Sequence, residues 1–337
     1  MNLSNVIISS AMALSEADEP EELSADLEIR QVPVALHQHG ERLDRALVEL
    51  APEFSRSYLQ QLIEAGLVKV QGRTTVKPSQ RVKVAEMVEI ELRPTPQSQS
   101  FQPQAMDLHI VYEDAHVYVI NKPAGLVVHP APGNWTGTLL NGLLARDPRS
   151  AQVPRAGIVH RLDKDTSGLM VVARSRAAMD ALVQAIAARE VGRQYLAVAH
   201  QPWKGAHTVA VQAAIGRDVR NRLRMAVVDL SHASGKTAQT DVHLLASNAQ
   251  GCFVRCVLHT GRTHQIRVHM AHIGHSLVAD AVYGGRSTEG MERQALHAYR
   301  LAFKHPVSGE YLQFTAQPPE DFMRLLNAWG FSYNLQS

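Results

Sequence analysis

The chain of 337 residues has only two cysteines, Cys252 and Cys256. Two thiols build neither a disulfide framework nor a four-cysteine zinc site, and they fit a reducing compartment. No apolar run reaches the ~18 residues that a membrane helix needs. The Gly-rich signatures G-x-x-x-x-G-K-[ST] and G-x-G-x-x-G are missing, which removes the main support for nucleoside-triphosphate and dinucleotide enzymes. His259, His264, His269, His272 and His275 lie close together, yet neither H-E-x-x-H nor the His/Cys/Cys pattern of zinc deaminases is present. No metal or cofactor is therefore expected, and no internal repeat is visible.

Hydrophobic residues at 45% and charged residues at 20% are ordinary globular values, and the length suits about two domains. Charge is unevenly spread. Residues 1–29 hold seven acidic side chains and no Lys or Arg, which leaves 34 basic against 25 acidic side chains in residues 30–337, a net of +9. That excess favours a polyanionic partner. The first residues are mildly apolar, lack basic residues and run into acids, so residues 1–36 read as a disordered, cytoplasmic lead and not a signal peptide.

Residues 37–93 read as a compact unit. Leu43, Leu47 and Leu50 recur at helical spacing, Ser55 is placed to cap a helix over 56–65, and Gly66 stops it. Val68 and Val70, then Val82, Val84, Val88, Ile90 and Leu92, alternate as strands do. Residues 94–106, rich in proline and glutamine, read as an extended linker. Residues 107–328 alternate strand patterns with a few helices, including 177–190 with Met179, Leu182, Val183 and Ile186 on one face and 263–273 with His264 and Arg267 at i, i+3. The expected class is α+β, a mixed, largely antiparallel sheet with flanking helices, followed by a tail over 329–337.

Two segments concentrate polar groups in apolar surroundings. His160-Arg161-Leu162-Asp163-Lys164-Asp165-Thr166-Ser167-Gly168 lies between Ile158-Val159 and Leu169-Met170-Val171-Val172. Charges between two buried strands are costly unless paired or functional. Asp163 and Asp165 also read as an acid and base pair, although i, i+2 spacing does not decide it. The second segment, Thr260 to Met270, places Arg262, His264 and Arg267 on the opening turns of a helix, where an anion is favoured. Cys252 and Cys256 fall on one strand face and read as core.

These segments, with Asn121-Lys122-Pro123-Ala124-Gly125-Leu126-Val127-Val128-His129-Pro130, Arg155-Ala156-Gly157 and Gln294-Ala295-Leu296-His297-Ala298, resemble the pseudouridine synthases of the RluA/RluD type. The similarity runs from Asp107 to about Pro319 in family order, and Arg42-Leu43-Asp44 with Ser55-Arg56-Ser57 resembles an S4 RNA-binding domain. The resemblance implies conversion of uridine to pseudouridine without redox change or cofactor, with large-subunit (23S) ribosomal RNA as partner; no membrane contact is expected, and nothing in the sequence suggests more than a monomer. It assigns Asp163 as catalytic aspartate, Arg161 as the arginine replacing the flipped base, Tyr195 as the tyrosine against the target ring and Arg267 as the partner of the aspartate. Asp165 then becomes supporting, and Lys122 and His129 read as packing or phosphate contacts. Arg42, Arg56 and Lys69 are the expected phosphate contacts of the S4-like unit, with Arg262 and His264 in the catalytic unit. One departure stands at Ala279, ahead of Asp280-Ala281-Val282-Tyr283-Gly284, where the family often has glycine; it reads as affecting a turn. The competing expectations are a tRNA or other structured-RNA synthase, a non-catalytic ribosome-assembly factor and a carboxylate-pair or metal hydrolase.

Overall fold

The computed structural model describes residues 28–52, 54, 56–92, 98–131, 133–221 and 224–333. The chain divides into two compact units, Met1–Ser98 and Gln99–Ser337.

The first unit runs β1 (Glu28–Pro33), α1 (Leu43–Leu50), α2 (Arg56–Glu64), β2 (Val68–Val70), β3 (Arg73–Thr75) and β4 (Met87–Leu92). Its strands form an antiparallel sheet in the order β1-β4-β2-β3. Leu43 and Leu47 of α1 and Leu59, Leu62 and Ile63 of α2 are buried with Val68, Val88 and Ile90 of the sheet. Helical and two-residue periodicity therefore meet in one core, as the alternation predicts. Three details differ from the sequence reading. β1 takes residues 28–33 out of the supposed lead, because its backbone completes the β4 edge and Val34 just beyond it is buried. The strand expected from Val82 begins only at Met87, since Ala85 adopts a left-handed backbone (φ +66°) and breaks the run. The proposed cap Ser55 lies outside the described residues.

The second unit continues with β5 (Ile110–Glu113), β6 (Val117–Lys122), α3 (Leu139–Arg146), β7 (Ser167–Ala173), α4 (Arg176–Ala187), β8 (Gly192–His200), β9 (Thr208–Gln212), β10 (Ile215–Arg217), β11 (Met225–Val227), β12 (Gly235–Lys236), β13 (Gln239–Ser247), β14 (Gly251–Leu258), α5 (Gln265–His272), β15 (Leu296–Lys304), β16 (Tyr311–Thr315) and α6 (Glu320–Ala328). Among the described residues, nine strands form one sheet in the order β5-β6-β7-β15-β8-β14-β13-β9, with β16 on β15. Only β7–β15 is parallel, so the sheet is mixed and mostly antiparallel. β10, β11 and β12 make a separate small antiparallel sheet.

Alternate residues feed the two faces of the large sheet. Tyr195, Ala197 and Val254 join Leu139, Ile266 and Met270 from α3 and α5, whereas Leu196, Val198 and Phe253 pack on Phe322 and Leu325 of α6. Cys252 and Cys256 both lie in the first of these cores. On α4 the buried face is Ala178 and Leu182, so Val183, expected inside, is exposed. The supposed linker is also corrected in part: the buried Asn141 amide donates to the carbonyls of Ser100 (3.0 Å) and Gln102 (2.8 Å), and Met106 packs on the core. The supposed tail begins with Trp329 and Phe331, both buried beside Phe322.

Arg42, Arg56 and Lys69 each have a carboxylate partner. Asp44, with no exposed side-chain surface, accepts from Arg42 Nε (2.9 Å), Arg56 Nη2 (2.8 Å) and Gln60 Nε2 (2.7 Å), while Lys69 Nζ donates to Glu89 at 2.6 Å. Hydrogen bonds from Arg42, then Arg56 and Gln60, outweigh burial and hold the Asp44 carboxyl well below the ordinary range. A folded-state carboxyl lowered in this way stabilises above the unfolded value of about 4 and loses that contribution as pH falls below it. Asp44→Asn is expected to destabilise the unit by about 2–3 kcal/mol at neutral pH, seen as faster amide hydrogen exchange in α1 and α2, with the difference from wild type shrinking in acid.

Candidate active site

The segment from His160 to Gly168 enters β7 as a loop pinned from several sides. Lys122, with no exposed surface, donates from Nζ to the carbonyls of Pro123 (2.7 Å), Leu126 (2.9 Å) and Lys164 (2.9 Å). Burial pushes its ammonium down to about 7, while Asp165 and Asp163 pull it up. Three carbonyl acceptors match the three donors of the charged form, so Lys122 is a clasp and not a phosphate contact. From the opposite side, Arg293 Nη1 donates to the Asp165 carbonyl (2.9 Å), Gln294 Nε2 to Thr166 Oγ1 (3.3 Å), and Ser167 Oγ lies 2.9 Å from His297 Nδ1. Gly168 is required where β7 meets β15: its φ is +115°, and a Cβ there would lie 2.2 Å from the Ala298 oxygen. His160 Nε2 accepts from the Val171 N–H at 3.1 Å, and burial pushes this imidazole down to about 3, so it stays neutral.

The loop delivers Asp163 to Arg267 of α5. Arg267 Nη1 donates to Asp163 Oδ2 (3.2 Å), while Nε and Nη2 grip the fully buried Asp280 at 2.7 and 2.8 Å. Burial opposes the charge on Arg267, but the hydrogen bonds and field of Asp280, with those of Asp163, outweigh it and raise its pKa. Its guanidinium also lies 5.0 Å from the centre of the Tyr283 ring. Asp163 lines the cavity, and its Oδ1 lies 4.0 Å from His264 Nε2. His264 caps α5 with a left-handed backbone (φ +56°), which turns its ring toward Asp163 while Nδ1 sits 2.9 Å from the Tyr283 hydroxyl. The helix expected from Thr263 therefore starts at Gln265. Burial lowers the His264 pKa, against the pull of Asp163.

Asp163 lies in a cavity of about 630 Å³, room for a nucleotide, lined also by Arg161, Tyr195, Arg262, His264 and Arg267. Thus the sequence-derived candidates of this unit converge. Tyr195, on β8, is buried, and burial raises its phenol to about 12, so it is neutral at physiological pH. Arg161 is exposed at the rim and makes no hydrogen bond or ion pair with the described residues. Arg262 Nε donates to the Thr237 carbonyl at 3.1 Å. The histidine cluster disperses: His259 meets Asp241 (2.7 Å), His269 meets Thr240 and the Ala213 carbonyl, and His275 stacks on Trp203. Among the described residues no three His, Cys, Asp or Glu side chains are grouped to hold a metal.

The sequence model of the RNA pseudouridylate synthase family matches residues 116–272, and that of the S4 domain matches residues 41–88. Over 317 residues the chain is 48% identical to the ribosomal large subunit pseudouridine synthase D of Neisseria meningitidis serogroup B, covering 90% of this chain and 83% of the relative. The chain belongs to the RNA pseudouridylate synthase family. A protein of the same description from Xanthomonas campestris pv. campestris is 46% identical over 316 residues, 90% of this chain and 93% of the relative. Among solved structures, human RNA pseudouridylate synthase domain containing 1 is 28% identical with a TM-score of 0.50, over 65% of this chain and 86% of that one.

Two site residues of this synthase escaped the sequence reading. Asp280 and Tyr283 sit in the motif after Ala279, read there as a turn; the charged Asp280 within an apolar run was the available signal. Ala279 itself has φ +59°, a left-handed backbone that explains why glycine suits this position. Ala279→Gly is expected to stabilise the fold by about 1 kcal/mol in thermal or chemical unfolding. Asp280→Asn weakens the anchor of Arg267 and is expected to lower the single-turnover isomerisation rate about 10–100-fold, with RNA affinity within about twofold of wild type by filter binding.

Proposed function

We propose that this enzyme isomerises uridine to pseudouridine in large-subunit (23S) ribosomal RNA, as precursor or assembled subunit, working as a cytoplasmic monomer. The observation that carries the reading is the single carboxylate, Asp163, presented to a nucleotide-sized cavity by a buried arginine. The choice of RNA rests on the relatives described as large-subunit synthases and on the S4 match.

The reaction breaks the bond between C1′ and N1 of uridine, turns the uracil, and joins C1′ to C5. C5 loses a proton and N1 gains one, so no electrons are exchanged. In this reading Arg161, exposed and unpaired by the described residues, fills the stack when the base flips out. Tyr195 packs its neutral ring against the uracil. Asp163, with Oδ2 held by Arg267, uses Oδ1 on the nucleoside as nucleophile or base. Arg262 and His264 flank the entry, and the S4-like unit adds RNA contacts through cations already committed to carboxylates, which favours positioning over base reading.

The test is tritium release from RNA labelled at C5 of uridine, comparing unmodified large-subunit RNA with small-subunit RNA and tRNA transcripts. Release from large-subunit RNA alone is expected. Release only from tRNA would move the substrate, and tight binding without release from any RNA would favour an assembly factor.

A further inference from the structure

One buried cation in the cavity has no task in the scheme above. Arg193 lies on β8 two residues before Tyr195, hence on the same face of the strand. It is 5% exposed, lines the cavity, and its Nε is buried without a hydrogen-bond partner. None of the described residues forms an ion pair with it. Its guanidinium is instead fitted against the 260–262 turn: a Cβ at Gly261 would lie 2.8 Å from Nη1, so glycine leaves the space it occupies.

The surrounding charge decides what completes it. Arg155, Arg161, Arg189 and Arg262 also line the cavity, whereas among the described residues Asp163 is its one lining carboxylate and is already bound to Arg267. A desolvated guanidinium is satisfied best by a full anion that accepts two of its donors, and phosphodiester oxygens supply that charge and geometry; the neutral carbonyls of uracil supply no charge. The strand that brings uridine to Asp163 carries such a group on each side of the nucleoside.

We propose that Arg193 binds a phosphodiester adjoining the target uridine and so sets how deeply the nucleotide enters. The assignment rests on the synthase reading for the identity of the nucleotide. Arg193 is a substrate-holding residue that acts before bond cleavage.

The test uses full-length protein and a short RNA bearing one labelled target uridine, with either normal phosphodiesters or a neutral methylphosphonate placed 5′ or 3′ to that uridine. Arg193→Gln is expected to raise KM and Kd about tenfold on normal RNA and to reduce the slope of log affinity against log salt by about one. On one of the two methylphosphonate RNAs the same substitution has no further effect, because the charge it pairs with is already gone. Arg193→Lys, which keeps the charge and guards against misfolding, recovers part of the binding. Losses that add on both methylphosphonate RNAs, or a fall in kcat with Kd and salt slope unchanged, would overturn the proposal and point to contact with the base. Failure of wild type to release tritium would refute the synthase reading alone, since the binding titrations still report on Arg193.

Discussion

A guanidinium holding two carboxylates organises this enzyme. Arg267 uses Nε and Nη2 on Asp280 and Nη1 on Asp163, so three of its five donors are fixed in a plane by two acids from different parts of the chain. Asp280 has no exposed surface, and burying a carboxylate is costly unless it is paired and hydrogen-bonded. That pairing fixes Arg267, and Arg267 fixes the oxygen of Asp163 that it touches. The other oxygen lies 4.0 Å from His264 Nε2.

A second set of polar groups holds the loop that carries Asp163, through both its backbone and its hydroxyls. Lys122, Arg293, Gln294 and His297 fasten the loop at Lys164, Asp165, Thr166 and Ser167, on the residues immediately after Asp163. Segments separated by more than a hundred positions thus converge on four residues. Such support fixes the position of Asp163 before any ligand arrives. It also explains the composition of these motifs: a lysine, an arginine and histidines stand among buried apolar residues because each has a particular hydrogen-bonding partner to meet.

Much of this was legible before the fold was known. Residue alternation located β2 and most of β4 but not β1 or β3, helical spacing located α1, α2 and α4, and the density of charge between apolar runs marked both halves of the site. Pairing across distance was not legible. Nothing local tells that Arg42 and Arg56 share Asp44, or that Asp280 anchors Arg267, since these partners meet only after the chain folds. Backbone sign was equally hidden at Ala85 and His264, where a left-handed residue of ordinary type ended one expected element and delayed another. The stretch taken for a linker carried few apolar residues, yet it is held by hydrogen bonds from Asn141, which composition does not reveal.

The most direct measurement is the single-turnover rate of tritium release at saturating RNA for Asp163→Asn, with affinity measured in parallel. The substitution keeps size and one carbonyl acceptor for Arg267 while removing the charge that faces the cavity. A fall of at least about a thousandfold with RNA affinity retained is expected for a group that acts as nucleophile or base. A rate within about tenfold of wild type would contradict the central role given to Asp163.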